Sequence, residues 1–171
     1  MNRFLVCSDI HRRIENFRYA LTEGKMEGIE GVIIAGDVEV DYSVIRDLMS
    51  EVFGEEVIGV KLYIVKGNCD GSNLAGVDDM ITFNLNEKVT CLLTHGHKYQ
   101  VKYDLDTLEY VSSYRKAKVA IYGHTHMYDN HVSGGVRFIN PGALCGGFDK
   151  PSYIILTVDG SHVDVLKRVI N

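Results

Sequence analysis

Continuous apolar runs alternate with helix-period segments through the N-terminal part of the chain. Phe4-Leu5-Val6-Cys7, Val32-Ile33-Ile34-Ala35 and Leu62-Tyr63-Ile64-Val65 are unbroken runs of strand length. That is the pattern of strands buried on both faces. From Arg13 the period changes: Ile14, Phe17, Tyr19-Ala20-Leu21 and Met26 recur at helical spacing, and Gly28 closes the segment. Val44, Ile45, Leu48, Met49, Val52 and Phe53 repeat the pattern, closed by Gly54. The order β-α-β-α-β predicts parallel strands joined by right-handed crossovers.

The remaining sequence has a different texture. Ile81 to Leu85 alternates like a strand with one wet face, and Asn86-Glu87 turns it into Val89-Thr90-Cys91-Leu92-Leu93, so a hairpin is predicted. Leu105, Leu108, Val111 and Tyr114 support one more helix. Val119 to Tyr122, Val136 to Ile139, Tyr153 to Val158 and Val163 to Leu166 read as further strands. Gly134-Gly135 and Asp159-Gly160 supply hairpin turns. The pattern predicts an α/β fold of two packed sheets flanked by helices. No linker, repeat or low-complexity stretch interrupts it, so residues 1–171 are expected to form one domain.

Composition narrows the classes. A chain of 171 residues buries about 70% of its unfolded surface, enough for a core without staples. Net charge is −5, which argues against a nucleic-acid-binding surface and against attraction to anionic lipid. No apolar stretch approaches the roughly 18 residues that a membrane span needs. The four cysteines, Cys7, Cys69, Cys91 and Cys145, form no C-x-x-C motif. With no secretory signal, the reading is a cytoplasmic protein with reduced thiols.

Chemistry gathers in five polar clusters, each directly after an apolar run. They are Ser8-Asp9-Ile10-His11, Gly36-Asp37, Gly67-Asn68-Cys69-Asp70, Thr94-His95-Gly96-His97 and Gly123-His124-Thr125-His126. In α/β sheets, ligand sites lie beyond the carboxyl ends of strands, so the clusters are predicted to share one crevice. Asp9 and His11 are two residues apart, as are His124 and His126; in extended backbone such pairs point to one face. Imidazole and carboxylate together suit borderline divalent metals such as Mn, Fe, Zn, Co or Ni. Asp37 has two oxygens and stands midway in the ligand order, so it can bridge two ions. Asn68 adds a neutral carbonyl oxygen. The glycines before Asp37, Asn68, His97 and His124 allow tight turns and close backbone approach to a phosphate.

The series Asp-x-His, Gly-Asp, Gly-Asn-x-Asp, His-Gly-His and Gly-His-x-His resembles the calcineurin-like metallophosphoesterase superfamily. The short length and the Gly-Asn-Cys-Asp form are similar to its small YfcE-like phosphodiesterase branch. The resemblance runs from Asp9 to Asn140-Pro141-Gly142. It implies a four-layer αββα sandwich. It also implies that Asp9, His11, Asp37 and His126 hold one metal, and Asp37, Asn68, His95 and His124 the other. The metal expected first is Mn, with Ni, Fe, Co or Zn as alternatives. The implied activity is phosphodiester hydrolysis of a small substrate by a metal-bridging hydroxide. Phosphomonoester or phosphoprotein hydrolysis is the alternative, and so is a non-catalytic scaffold like the retromer protein of this fold. A homo-oligomer, dimer or tetramer, is left open.

Two positions depart from the family pattern. Cys69 stands where many members carry a His thought to help the leaving group, and Arg12 where the branch often has Gly. Arg12 is read as a surface residue. Cys69 has no base at a fixed spacing and is not read as a nucleophile. His97 is a candidate proton donor or phosphate ligand, or else a hydrogen-bond partner of the metal ligands. Lys98 and Lys102 flank the clusters and read as solvated charges, His131 and His162 as surface residues, and Cys7 and Cys91 as core. Asn140-Pro141-Gly142 either presents backbone N–H groups to phosphate or is a tight turn.

Overall fold

The computed structural model describes residues 1–171. The predicted β-α-β-α-β unit is present as β1 (Asn2–Cys7), α1 (Ile14–Met26), β2 (Gly31–Ile34), α2 (Tyr42–Phe53) and β3 (Lys61–Ile64). Its three strands pair in parallel, with Leu5 beside Val32 and Val32 beside Leu62. Two C-terminal strands, β9 (Ser152–Asp159) and β10 (His162–Val169), extend the sheet antiparallel on the far side of β1. The sheet order is β10-β9-β1-β2-β3 once β4 to β8 are placed elsewhere.

Those five strands form the second sheet. They are β4 (Met80–Asn84), β5 (Thr90–Thr94), β6 (Val119–Ile121), β7 (Tyr128–Ser133) and β8 (Val136–Pro141), in the order β4-β5-β6-β8-β7. The predicted hairpin is β4–β5, antiparallel with Phe83 opposite Cys91. The strands β5, β6 and β8 run parallel. A third helix, α3 (Asp106–Tyr114), packs on the outer face. Strand β7 was not predicted: its sequence Tyr-Asp-Asn-His-Val-Ser has no apolar run, and it lies at the sheet edge with no fully buried residue. A 3₁₀ segment, Gly54–Gly59, follows α2 directly and was also not foreseen.

Strand alternation divides the core into three layers. Phe4, Val6, Ile33, Cys91, Leu93, Val119, Ile121 and Ile139 meet between the sheets. Leu5, Cys7, Val32 and Ile34 face the other way, onto Phe17, Leu21, Ile45 and Met49 of α1 and α2. Leu92, Ala120 and Phe138 pack beneath Leu108 of α3. Helix, sheet, sheet, helix is the expected four-layer sandwich of two mixed sheets. Each fully buried apolar side chain contributes roughly 1.5–3 kcal/mol, which is why these positions read so clearly as unbroken runs. No helix is long and apolar enough to cross a membrane.

Candidate metal centre

Five strands deliver the five clusters: β1, β2, β3, β5 and β6 each end at or just before one of them. Their loops are knitted together by backbone bonds that continue past the strand ends. Asp9 N donates to Gly36 O (3.1 Å), His11 N to Asp37 O (3.0 Å) and Gly123 N to His95 O (3.2 Å).

The clusters converge, but not by extended backbone. Asp9, His11, Asp37, His124 and His126 have φ values of 53°, 44°, 52°, 68° and 61°. A left-handed non-glycine residue costs on the order of 1–3 kcal/mol and clusters at functional sites. The Asp9/His11 and His124/His126 pairs therefore reach the crevice through tight turns, and the two-residue spacing in a strand is not the reason they share a face. Gly36 and Gly96, at φ 87° and 99°, make the expected tight turns, and two further glycines let loops meet closely. A Cβ on Gly67 would lie 2.0 Å from Asp37 Oδ1, and one on Gly123 would lie 1.9 Å from Ser8 Oγ. These glycines let one ligand loop press against the next.

All seven predicted ligands are brought together. Asp37 Oδ2 lies 3.8 Å from His11 Nε2 on one side and 3.2 Å from His95 Nε2 on the other. Asp9 Oδ1 lies 3.1 Å from His126 Nε2 and 3.8 Å from His11 Nε2. Asn68 Oδ1 lies 3.2 Å from His95 Nε2. Donor atoms of Asp37, His95 and His124 all lie within 4.8 Å of one another. Asp9 and His95 are wholly buried, and Asp37 nearly so.

The outer contacts aim these atoms. His11 Nδ1 is 2.7 Å from Glu39 Oε2, and His95 Nδ1 is 2.7 Å from Ala35 O. Donation from Nδ1 aims Nε2 of each ring at the crevice, where a cation would take the place of any proton on it. Asp37 Oδ1 accepts from Cys69 N (2.8 Å), which turns Oδ2 inward. Asp9 Oδ2 accepts from Ser8 Oγ (2.7 Å) and His124 N (3.1 Å), leaving Oδ1. His11 Nε2 is buried without a hydrogen-bond partner, and Asp9 Oδ1, also buried, meets only the His126 ring at 3.1 Å. An orphaned buried nitrogen facing two carboxylates fits a cation, since such an atom is otherwise costly.

Electrostatics agree with a site built for positive charge. Burial alone would raise the Asp37 pKa, but hydrogen bonds from His95 and Cys69 outweigh it and hold the carboxyl well below the usual range. Burial opposes charge on His95, yet Asp37 and Asp9 raise its pKa. Burial and then His95 push His124 down to about 4.

Sequence reasoning missed Glu39 and Cys145, and it gave no role to Ser8 and Asp70, which stand inside the clusters it named. Asp70 accepts from the backbone N–H groups of Val38, Glu39 and Gly67, bracing two ligand loops. A Cys145 sulfur stands close to donor atoms of His11 and His126. Neither Glu39 nor Cys145 lies at motif spacing from its partners. Asn140-Pro141-Gly142 closes in an Asx turn, one of the two readings the sequence offered. Asn140 and Pro141 end β8, Asn140 Nδ2 ties down Gly123 O and Thr125 Oγ1 at 3.0 Å each, and Gly142 N is used on Asn140 Oδ1.

The remaining candidates fall around the rim. The His97 ring lies 5.5 Å from His95 and 6.1 Å from His124, with Nδ1 buried and unpartnered. Burial, then His95, lowers its pKa. Arg12 is an exposed residue that reaches only Glu39, at 3.5 Å. Cys69 is exposed, and Lys98 pairs with Asp79. His131 and His162 are exposed, while Cys7 and Cys91 are buried.

Two five-stranded sheets with a carboxylate–imidazole centre at their strand ends define a metallophosphoesterase. The chain belongs to the calcineurin-like phosphoesterase superfamily, whose domain matches residues 2–161. It is 34% identical over 106 residues to the probable metallophosphoesterase YsnB of Bacillus subtilis, a match spanning 60% of each chain. It is 29% identical to phosphodiesterase MJ0936 of Methanocaldococcus jannaschii, across 82% of this chain and 83% of that one. Phosphodiesterase YfcE of Escherichia coli is 26% identical, with 93% and 89% covered. Among solved structures, a predicted phosphoesterase from Streptococcus pneumoniae superposes with TM-score 0.75 at 23% identity, covering 98% of this chain and 89% of that one. Vps29 of Entamoeba histolytica superposes with TM-score 0.73 at 20% identity, covering 99% of each. Those two likenesses speak for the fold.

Proposed function

We propose that the protein is a metal-dependent phosphodiesterase with a dinuclear centre. Asp9, His11, Asp37 and His126 would hold one ion, and Asp37, Asn68, His95 and His124 the other. The observation that carries this reading is the buried, unpartnered His11 Nε2 facing Asp9 Oδ1 and the inward Asp37 Oδ2. The mixed imidazole, carboxylate and amide donors suit borderline divalent metals, among them Mn, Ni, Fe, Co and Zn, and the family resemblance puts Mn first. When bound, two divalent ions supply an acidified water as nucleophile and positive charge for the phosphoryl oxygens.

The chain's own residues supply placement. Glu39 and Ala35 O fix the tautomers of His11 and His95, so neither ring has to reorient when a cation arrives. Ser8 and Cys69 N neutralise the outward carboxylate oxygens. Cys69 stays a thiol: burial and then the Asp37 charge raise its pKa to about 11. It is therefore no covalent nucleophile at neutral pH.

Similarity to relatives named phosphodiesterases favours diesters over monoesters as small-molecule substrates. The likeness to Vps29 keeps one rival, a scaffold that does no chemistry. A complete and pre-aimed donor set argues for catalysis. The deciding experiment treats metal-free protein with Mn, Co, Ni, Fe or Zn and assays bis(p-nitrophenyl) phosphate beside p-nitrophenyl phosphate. Metal-dependent turnover with the diester preferred is expected. Metal binding without turnover of either ester would favour the scaffold.

A further inference from the structure

A cleft of about 520 Å³ adjoins the centre, lined by Lys102, His124, Thr125, His126, Met127, Gly147, Phe148 and Asp149. Two of the proposed ligands, His124 and His126, form part of its wall, so a molecule filling it touches the reacting group. The volume falls in the usual range for a small-ligand site.

Its other walls are chemically mixed. Phe148 is fully exposed and Met127 is 67% exposed, an unusual state for two apolar side chains sharing one cleft. Phe148 stands on the loop after β8, behind Gly146 (φ 77°) and Gly147 (φ 150°), left-handed conformations that glycine adopts freely. Met127 follows His126 directly, and its N–H donates to Thr125 Oγ1 at 3.2 Å, while Asn140 Nδ2 donates to the same oxygen at 3.0 Å. The Met127 backbone is thus tied to the ligand loop. Lys98 is engaged by Asp79, whereas Lys102 lines the cleft beside His124 and His126 without an ion pair. Asp149 supplies a carboxylate on the same rim.

We propose that this cleft is a subsite for a nucleobase, which makes the substrate a nucleotide-bearing phosphodiester. The proposal rests on the phosphoesterase reading of the adjoining centre. A planar base stacks on the Phe148 ring and packs against the polarizable Met127 sulfur. Lys102 offsets phosphate charge, and Asp149 accepts from a ribose hydroxyl or a base N–H. An acyl chain fits poorly, because Lys102 and Asp149 would be desolvated beside it without a partner. Stacking on an aromatic side chain tolerates any base, so selectivity for nucleosides over simple alkyl esters is expected, with little choice among bases.

The test separates the subsite from the chemistry by measuring binding. Mn-loaded protein is titrated calorimetrically with adenosine 5′-monophosphate and with methyl phosphate. The nucleotide should bind about five- to 140-fold more tightly, the equivalent of ~1–3 kcal/mol per stacked base. Phe148→Ala should erase most of that difference and leave methyl phosphate binding unchanged. Phe148→Trp should keep it. The ring is fully exposed, so neither variant disturbs the core. Equal affinity for both ligands in the wild type would overturn the subsite, as would an Ala variant that keeps the full nucleotide preference. Diesterase turnover is measured separately: nucleotide preference in a protein with no turnover would overturn the hydrolytic reading and uphold the subsite.

Discussion

Glu39 holds His11 from behind: its Oε2 lies 2.7 Å from Nδ1, while Nε2 faces Asp9 and Asp37 at 3.8 Å from each. The carboxylate fixes which nitrogen carries the proton and points the other at the crevice. Twenty-eight residues separate the pair, and both sit in left-handed turns, His11 at φ 44° and Glu39 at φ 56°.

Removing that support should weaken one site. Glu39→Ala is expected to lower affinity at the Asp9/His11/His126 position by about 10- to 100-fold, the usual effect of losing such a partner. Glu39→Gln, whose amide oxygen can still accept from Nδ1, should lose less. A metal titration followed by isothermal calorimetry checks both. Equal affinities in all three proteins would show that Glu39 plays no part in holding the ring.

The glycine before Asn68 gives a second prediction. A methyl on Gly67 would sit 2.0 Å from Asp37 Oδ1 and 2.6 Å from Asp37 N. Gly67→Ala should therefore push Asp37 out of place and reduce bound metal at both positions. Circular dichroism should still report a folded protein, because the clash is confined to the ligand loops. A variant with normal metal content would mean that the loops yield more easily than their backbone bonds suggest.

These two residues also mark what the sequence does and does not reveal. The strands β1, β2, β3, β5 and β6 were legible because burial on both faces leaves unbroken apolar runs, and the ligands were legible because each cluster follows one. The edge strand β7 was not, since an edge strand with no buried residue has no such pattern. Glu39 was invisible for another reason: its partner His11 lies 28 residues away, and only the folded loops bring them near. Asp70 was legible as a motif residue, but not its bonds to Val38 N and Glu39 N across the loops. The convergence of Asp9 with His11 was foreseen, but its cause was mistaken: left-handed turns, not extended backbone, make it happen.

The leaving group gives a third prediction. Cys69 stays protonated at neutral pH, with its pKa raised to about 11 by burial and by Asp37, and a thiol donates weakly. His97 has a lowered pKa, from burial and then His95, which leaves little imidazolium to act as an acid. Aryl diesters should thus be cleaved far faster than alkyl diesters, and Cys69→Ser should retain most activity. Rates across diesters of graded leaving-group pKa check this for the wild type and for His97→Ala. A flat dependence that steepens in His97→Ala would make His97 the proton donor.

The central claim is a dinuclear centre in which Asp37 is shared. Elemental analysis of metal-replete protein tests it most directly, with Asp37→Asn and His126→Ala run beside the wild type. Asp37 Oδ2 stands between His11 Nε2 and His95 Nε2, whereas His126 approaches Asp9 alone among the carboxylates. The account predicts close to two ions per wild-type chain, loss of both in Asp37→Asn, and loss of mainly one in His126→Ala. One ion per chain in fully active wild-type protein, or loss of a single ion in both variants, would contradict it.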